Sequence, residues 1–296
     1  MAVEMPKTRS RTALKLKPRK LVAQALALTV LAVGAVIVMI PFAWMLSTSV
    51  KPAGQVFIFP PIWIPNPIRW SNYLEVLTLP DYPFPTFFLN TVIITTGCMV
   101  GQLFGASIVG YSFARLRWVG RDKVFLLVLA TMMLPPQVTM IPQFILFYKI
   151  GWIDTFKPLI VPLLFGGAPF CIFLMRQFFM TIPFELDDAA RIDGCGVLGI
   201  YWHILMPLSR PALGTIAIFT TLWNWNDFFG PLIYLNSRNK FTLAVALALL
   251  RYSPYGATRW HLLMAATVMV VAPIIILFFV AQRYFIQGIV FTGVKG

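Results

Sequence analysis

Long runs without a charged residue recur along the chain and set its architecture. Leu21–Leu46, Phe87–Ala114, Val124–Tyr148, Pro158–Met175 and Leu262–Gln282 carry no charge, and Ala212–Leu235 is interrupted only by Asp227. Each is near or above the ~20 residues that a helix, rising about 1.5 Å per residue, needs to cross the hydrocarbon. A barrel would instead alternate polarity in strands of about ten residues, and the sequence shows no such alternation. The pattern predicts an all-α integral membrane protein with six transmembrane helices, at 21–47, 87–115, 124–148, 157–179, 212–235 and 262–285. Between them fall a basic tail at 1–20, outer loops at 48–86 and 236–261, an inner loop at 181–211 and an inner C-terminus at 286–296.

The first run follows a leader rich in Lys and Arg, but it is far longer than the 7–15 apolar residues of a signal peptide. It reads as an uncleaved span, with the basic tail lying near anionic head groups of the membrane lipid. With the N-terminus inside, sixteen of the 24 Lys and Arg fall in inner segments. That bias predicts both termini in the cytoplasm, which an even number of spans also requires. The expected location is a cytoplasmic membrane, crossed several times.

Composition narrows the classes. Of the 296 residues, 59% are hydrophobic and 11% charged, against about 45–50% and about 25% in soluble domains. A soluble enzyme, a disordered chain and a fibrous protein are excluded. The net charge of +14 is explained by the sidedness of the loops and does not call for nucleic acid. Three scattered cysteines make neither a disulfide framework nor a metal site. His203 and His261 stand alone, and no nucleophile or zinc-hydrolase motif occurs. No catalytic residue, metal or cofactor is expected.

Some features inside the spans carry possible chemistry. Pro135 and Pro136 remove hydrogen bonds in mid-span and are a candidate helix break, used either by a transport path or as a static packing kink. Trp223-Asn224-Trp225-Asn226-Asp227 places an acid 16 residues beyond Pro211, about 24 Å along a continuous helix, in the outer half of the fifth span. Asn224, Asn226 and Asp227, with Asn90 of the second span, are candidates for a substrate path, since hydroxyls need hydrogen-bond partners and sugar faces stack on rings. Polar contact between helices is the alternative. The outer loop 48–86, rich in Pro and aromatics, suggests a compact lid, an interfacial segment or a plain connector.

The inner loop 181–211 is the most informative stretch. It holds four of the ten acidic residues. Thr181 can cap a short helix with Pro183 in its first turn. Glu185, Asp187 and Asp188 then sit at the positive end of the helix dipole, and Gly194 supplies a left-handed stop. A second helical stretch, Val197–Met206, should end at Pro207. Ala189 and Ala190 let another protein's surface approach the backbone closely.

These residues resemble the EAA loop of ABC importer permeases. Asp188-Ala189-Ala190 stands at Glu-Ala-Ala, Gly194 follows after three residues, nine more lead to Ile204, and Met206-Pro207 stands at Leu-Pro. Asp for Glu and Met for Leu are the two departures. Ala189-Ala190-Arg191-Ile192-Asp193-Gly194, the Trp223–Phe228 cluster and the terminal Gly293–Gly296 are similar to the carbohydrate branch, the maltose-type permeases, and to their smaller G-type subunit. The resemblance implies the type I ABC importer permease fold. It implies ATPase coupling through Pro183, Glu185, Asp188, Ala189, Ala190, Arg191, Asp193, Gly194, Ile204 and Pro207. It implies three partners: a second homologous permease, an ABC ATPase dimer on the cytoplasmic face and an extracytoplasmic sugar-binding protein. The chain itself has no phosphate-cradling GxxxxGK[ST] motif, so ATP hydrolysis falls to the partner. A secondary transporter would carry more intramembrane acids and repeated halves; a non-translocating scaffold is the other rival.

Overall fold

The computed structural model describes residues 18–80, 82–251 and 258–290, and these are helical with no strand. Most of the basic tail (1–17) and the C-terminal Gly293–Gly296 lie outside the described residues. The helices are α1 (Pro18–Ser49), α2 (Ser71–Thr78), α3 (Phe84–Arg115), α4 (Arg121–Ala130), α5 (Pro136–Lys149), α6 (Lys157–Leu164) and α7 (Pro169–Thr181). They continue as α8 (Glu185–Ile192), α9 (Val197–Ile200), α10 (Met206–Leu208), α11 (Arg210–Trp225), α12 (Phe229–Tyr234), α13 (Leu243–Arg251) and α14 (Trp260–Val290).

The centre of the bundle is α3, packed against α6, α7 and α11. Its packing face is a stripe of glycines. A Cβ at Gly105 would stand 2.5 Å from the Leu163 carbonyl oxygen, and one at Gly110 would stand 2.7 Å from Cβ of Met175. Absent side chains let the backbones approach, as in other intramembrane helix contacts. By contrast α1 touches the bundle through α14 and leaves its apolar side chains at the surface from Val22 to Leu46.

Several apolar runs are broken helices. Leu134-Pro135-Pro136 splits the third run into arms meeting at 101°, because neither proline donates a backbone hydrogen bond. Phe165–Ala168 separates α6 from α7, with Gly167 at φ 71°. The fifth run ends its main helix at Trp225. Asp227 therefore lies past the helix end and not within a continuous 24 Å rod, because a three-residue break precedes α12.

Two local expectations in the inner loop need correction. Thr181 does not cap α8. It is the last residue of α7, where its Oγ1 donates to Phe178 O at 2.7 Å, and Phe184 takes the cap position with no side-chain cap bond. Nor does Pro207 end the second stretch. A five-residue π turn, Tyr201–Leu205, precedes it, and the chain stays helical to Leu208. A widened turn accommodates a residue that cannot donate its amide. The bend of 77° comes after Leu208, at Ser209.

Candidate functional site

The loop joining α7 to α11 holds most of the residues singled out in the sequence, and α8 is its projecting part. One turn after Phe184 the helix buries Asp187 and Ala190. Glu185, Asp188, Ala189, Arg191, Ile192 and Asp193 face outward, and Arg191 Nη1 meets Asp188 Oδ1 at 3.4 Å. Ile192 is 87% exposed and Leu198, just beyond, 72%. The outward surface thus mixes charge, a small alanine and bare apolar groups. Pro183 precedes the cap and is also exposed.

The helix stops by a Schellman arrangement. Gly194 has φ 79°, the Cys195 amide donates to Ala190 O at 2.8 Å and the Gly194 amide to Arg191 O at 3.0 Å. A left-handed residue at this point is strained for anything with a Cβ except Asn or Asp.

What anchors α8 was not among the sequence candidates. Arg115, the last residue of α3, donates through Nη2 to Phe179 O at 2.7 Å and Ile182 O at 2.6 Å. Those carbonyls end α7, where the helix dipole favours a cation. Nη1 of Arg115 stands 3.6 Å from Asp187 Oδ1, an ion-pair spacing. Its guanidinium also lies 4.2 Å from the centre of the Phe184 ring. One planar cation therefore joins α3, α7 and α8. Burial pushes the Asp187 carboxyl up from its ordinary value; Arg115 and Arg191 oppose the shift and Asp188 adds to it.

The second stretch is tied to α3 as well. Tyr111 Oη donates to Val197 O at 2.9 Å, and Tyr201 Oη pairs with Ser107 Oγ at 2.8 Å. Ile204 packs at the edge of the same apolar cluster, which contains Tyr111, Phe179, Ala190 and Leu205. Pro207 is exposed. The signal for these anchors was a polar period along one face of α3 (Ser107, Tyr111, Arg115), four residues apart.

The outer candidates do not gather into one site. Asn90 donates to Asn239 O at 2.8 Å and Phe241 O at 3.0 Å, fastening α3 to the α12–α13 connection. Asn224 and Asn226 fold their amides back on Thr220 O and Leu222 O of their own helix. Asp227 Oδ1 accepts from the Gly230 amide at 3.2 Å, in the first turn of α12. Next to them Trp223, singled out in the sequence, is joined by two rings that were not: Phe219 stacks on the half-exposed Trp223 at 5.8 Å, and Phe170 sits edge-on to both. Among the described residues no cluster of His, Cys, Asp and Glu could hold a metal.

Residues 102–290 match the family of binding-protein-dependent transport system inner membrane components, and the chain belongs to that family. It is 39% identical over 250 residues to the arabinooligosaccharides transport system permease protein AraQ of Halalkalibacterium halodurans, covering 84% of this chain and 86% of that one. It is 28% identical to the sn-glycerol-3-phosphate transport system permease protein UgpE of Yersinia pestis, covering 88% and 93%. A crystal structure of a bacterial ABC transporter that imports the acidic polysaccharide alginate contains a chain of similar fold. That likeness has a TM-score of 0.81 and 26% identity, over 91% of this chain and 99% of the other. The fold is that of a type I ABC importer permease, and the chain is a multi-pass inner-membrane permease component.

Proposed function

We propose that this chain is one of two homologous permease subunits of an ATP-driven carbohydrate importer, and that α8 with Gly194 is where an ABC ATPase dimer docks. The observation that carries the reading is the two-faced build of α8. Its inner face is clamped through Asp187 and Arg115 to α3 and α7, and its outer face presents Glu185, Asp188, Ala189, Arg191 and Ile192. A rod fixed to two core helices transmits displacement to the bundle; a floppy loop would not. ATP hydrolysis belongs to the docked subunits, and substrate reaches the outer face from an extracytoplasmic binding protein. Both termini lie in the cytoplasm in this reading, which the sidedness of Lys and Arg supports.

Relatives named for arabinooligosaccharides and alginate support an oligosaccharide as the cargo. Trp223 and Phe219 offer rings for a sugar face, beside Asn226 and Asp227. The Pro135–Pro136 break lets the two arms of the third run move as separate bodies.

The test is assembly followed by transport. Asp188 is exposed and its described partner is Arg191, one turn away, so Asp188→Lys leaves the fold intact while reversing charge on the docking face. It should lower co-purification of the ATPase and, with it, ATP-dependent uptake into vesicles. Normal co-purification would remove the docking role.

A further inference from the structure

The chain between α1 and α2 turns back on α1. Trp63 packs edge-on against Trp44 with ring centres 5.3 Å apart. Ser47 Oγ donates to Trp63 O at 2.5 Å, the Arg69 amide donates to Val50 O at 2.8 Å, and Gln55 Nε2 donates to Asn66 O at 2.6 Å. Trp44 lies five residues before the end of α1, which is about 7.5 Å along the helix axis. Trp63 is therefore held at the depth of the last turn and a half of a helix that is long and apolar enough to span a membrane.

The outward side of this fold-back is bare. Phe59 is 92% exposed, Ile64 81% and Trp70 69%, with Trp63 and Ile68 half-exposed. The charge is one-sided: no acidic residue occurs between Glu4 and Glu75. Within the fold-back Arg69 is exposed, while Lys51 is buried, its ammonium 3.6 Å above the Trp44 ring. Aromatic rings at the level of a span's end, with an exposed cation and no acids, are the composition of a headgroup interface. On α1 itself Leu46 and Phe42 are also uncovered.

We propose that residues 56–70 are a membrane foot: Phe59, Trp63, Ile64 and Trp70 insert into the headgroup–acyl boundary of the leaflet at the Ser49 end of α1. The foot fixes the depth of α1. It requires only that α1 crosses the bilayer, and is independent of what the protein transports.

The experiment uses the assembled complex in phosphatidylethanolamine–phosphatidylglycerol vesicles, with Cys98, Cys171 and Cys195 replaced by alanine. A spin label is attached at Phe59→Cys or, separately, at Ile64→Cys; both positions are exposed, so neither substitution disturbs packing. The foot predicts collision with oxygen severalfold above collision with a water-soluble nickel complex at both sites. High nickel collision, meaning a solvated loop, overturns the proposal. Low collision with both reagents, meaning a protein partner covers the segment, overturns it as well. Should the cysteine-free background not assemble, the native chain is compared with a Trp63→Phe, Trp70→Phe variant in lipids brominated near the headgroup. The proposal expects the variant to lose a measurable share of the fluorescence quenching, and unchanged quenching sinks it.

Discussion

Arg115 at the end of α3 and Asp187 in the first turn of α8 form a buried ion pair 3.6 Å apart, with side-chain exposures of 1% and 2%. They are 72 residues apart in the chain. The contact matters because α8 has few other attachments: its outer face is open, and its stop at Gly194 is made within the helix itself. Arg115 also takes up the two carbonyls that end α7, so the helix is held to two core elements by one side chain.

Removing that side chain should uncouple the loop from the bundle. A planar guanidinium serves two carbonyls and a carboxylate at once, which the ammonium of lysine cannot match. We expect Arg115→Lys to lower ATP-dependent uptake by at least about tenfold, within the range of ordinary coupling energies, while the ATPase still co-purifies. Asp187→Asn should fall in the same direction but less far, because burial already works against its charge. The measurement is the ratio of sugar transported to ATP hydrolysed in vesicles. An unchanged ratio for both variants would remove the clamp from the coupling path.

Gly194 gives a sharper contrast. A Cβ there meets nothing within 4 Å, so the only obstacle is φ 79°. Left-handed backbone costs an L-residue about 1–2 kcal/mol, and more where the side chain is β-branched. Gly194→Val should therefore loosen the stop and lower uptake, and Gly194→Asn, which tolerates that region, should recover most of it. Equal activity in the two variants would show that the turn is not what the glycine supplies.

What could be read from the sequence divides by range. The acidic first turn of α8, the alanines at its centre and its glycine stop are local features, and hydrogen bonds between neighbours in the chain make them. The clamp's partner could not be read: the polar period Ser107, Tyr111, Arg115 marks a face of α3, but nothing in the chain pairs Arg115 with Asp187 until α3 and α8 are placed side by side. Asn90 and Gln102 illustrate the same limit. Each is a polar residue in an apolar run, open to a path or a packing role. Asn90 binds carbonyls about 150 residues away, and Gln102 Oε1 accepts from the Ala168 amide at 2.9 Å. Pro207 misled for a different reason: proline forbids an α-helical hydrogen bond, but a π turn lets the chain remain helical around it. Thr181 had a competing acceptor one turn back in α7, and took it.

The glycine stripe was readable in principle, since Gly97, Gly101 and Gly105 recur every four residues. It predicts a graded response to alanine. At Gly97 the added methyl meets the tip of Ile160, 2.8 Å away, a side chain that can rotate. At Gly105 it meets backbone on two sides, Leu163 O and the Gly167 amide nitrogen at 2.8 Å. Overpacking that cannot relax costs about 1–3 kcal/mol. In detergent, Gly105→Ala should lower the midpoint of thermal unfolding clearly, with Gly97→Ala close to the parent. The reverse order would mean that α3 and α6 approach each other differently from the arrangement described above.

On the other side of the bundle Asp154 makes the opposite kind of contact, exposed in part but saturated. It takes positive φ in the α5–α6 turn. Its carboxylate accepts from the Asn236 and Ser237 amides at 3.0 and 2.9 Å and from Lys240 Nζ at 2.8 Å. Burial pushes this carboxyl up. Lys240, the Ser237 hydroxyl and the two amides outweigh that, holding it well below the usual carboxylate range. The folded value lies below the unfolded one, so the clasp contributes fully above the unfolded value of about 3.9. Its contribution fades as pH falls from there toward the folded value. Thermal stability of the parent should therefore show no loss from this group between neutral pH and about pH 4. Asp154→Asn keeps the shape and removes the charge, and should be less stable than the parent by about 1–3 kcal/mol at neutral pH. That difference should shrink as the parent is acidified below about pH 4. A gap that stays constant down to pH 3 would mean that the asparagine acts through shape or backbone strain at the positive φ, and that the charge on Asp154 does not hold the α5–α6 turn to the α12–α13 connection.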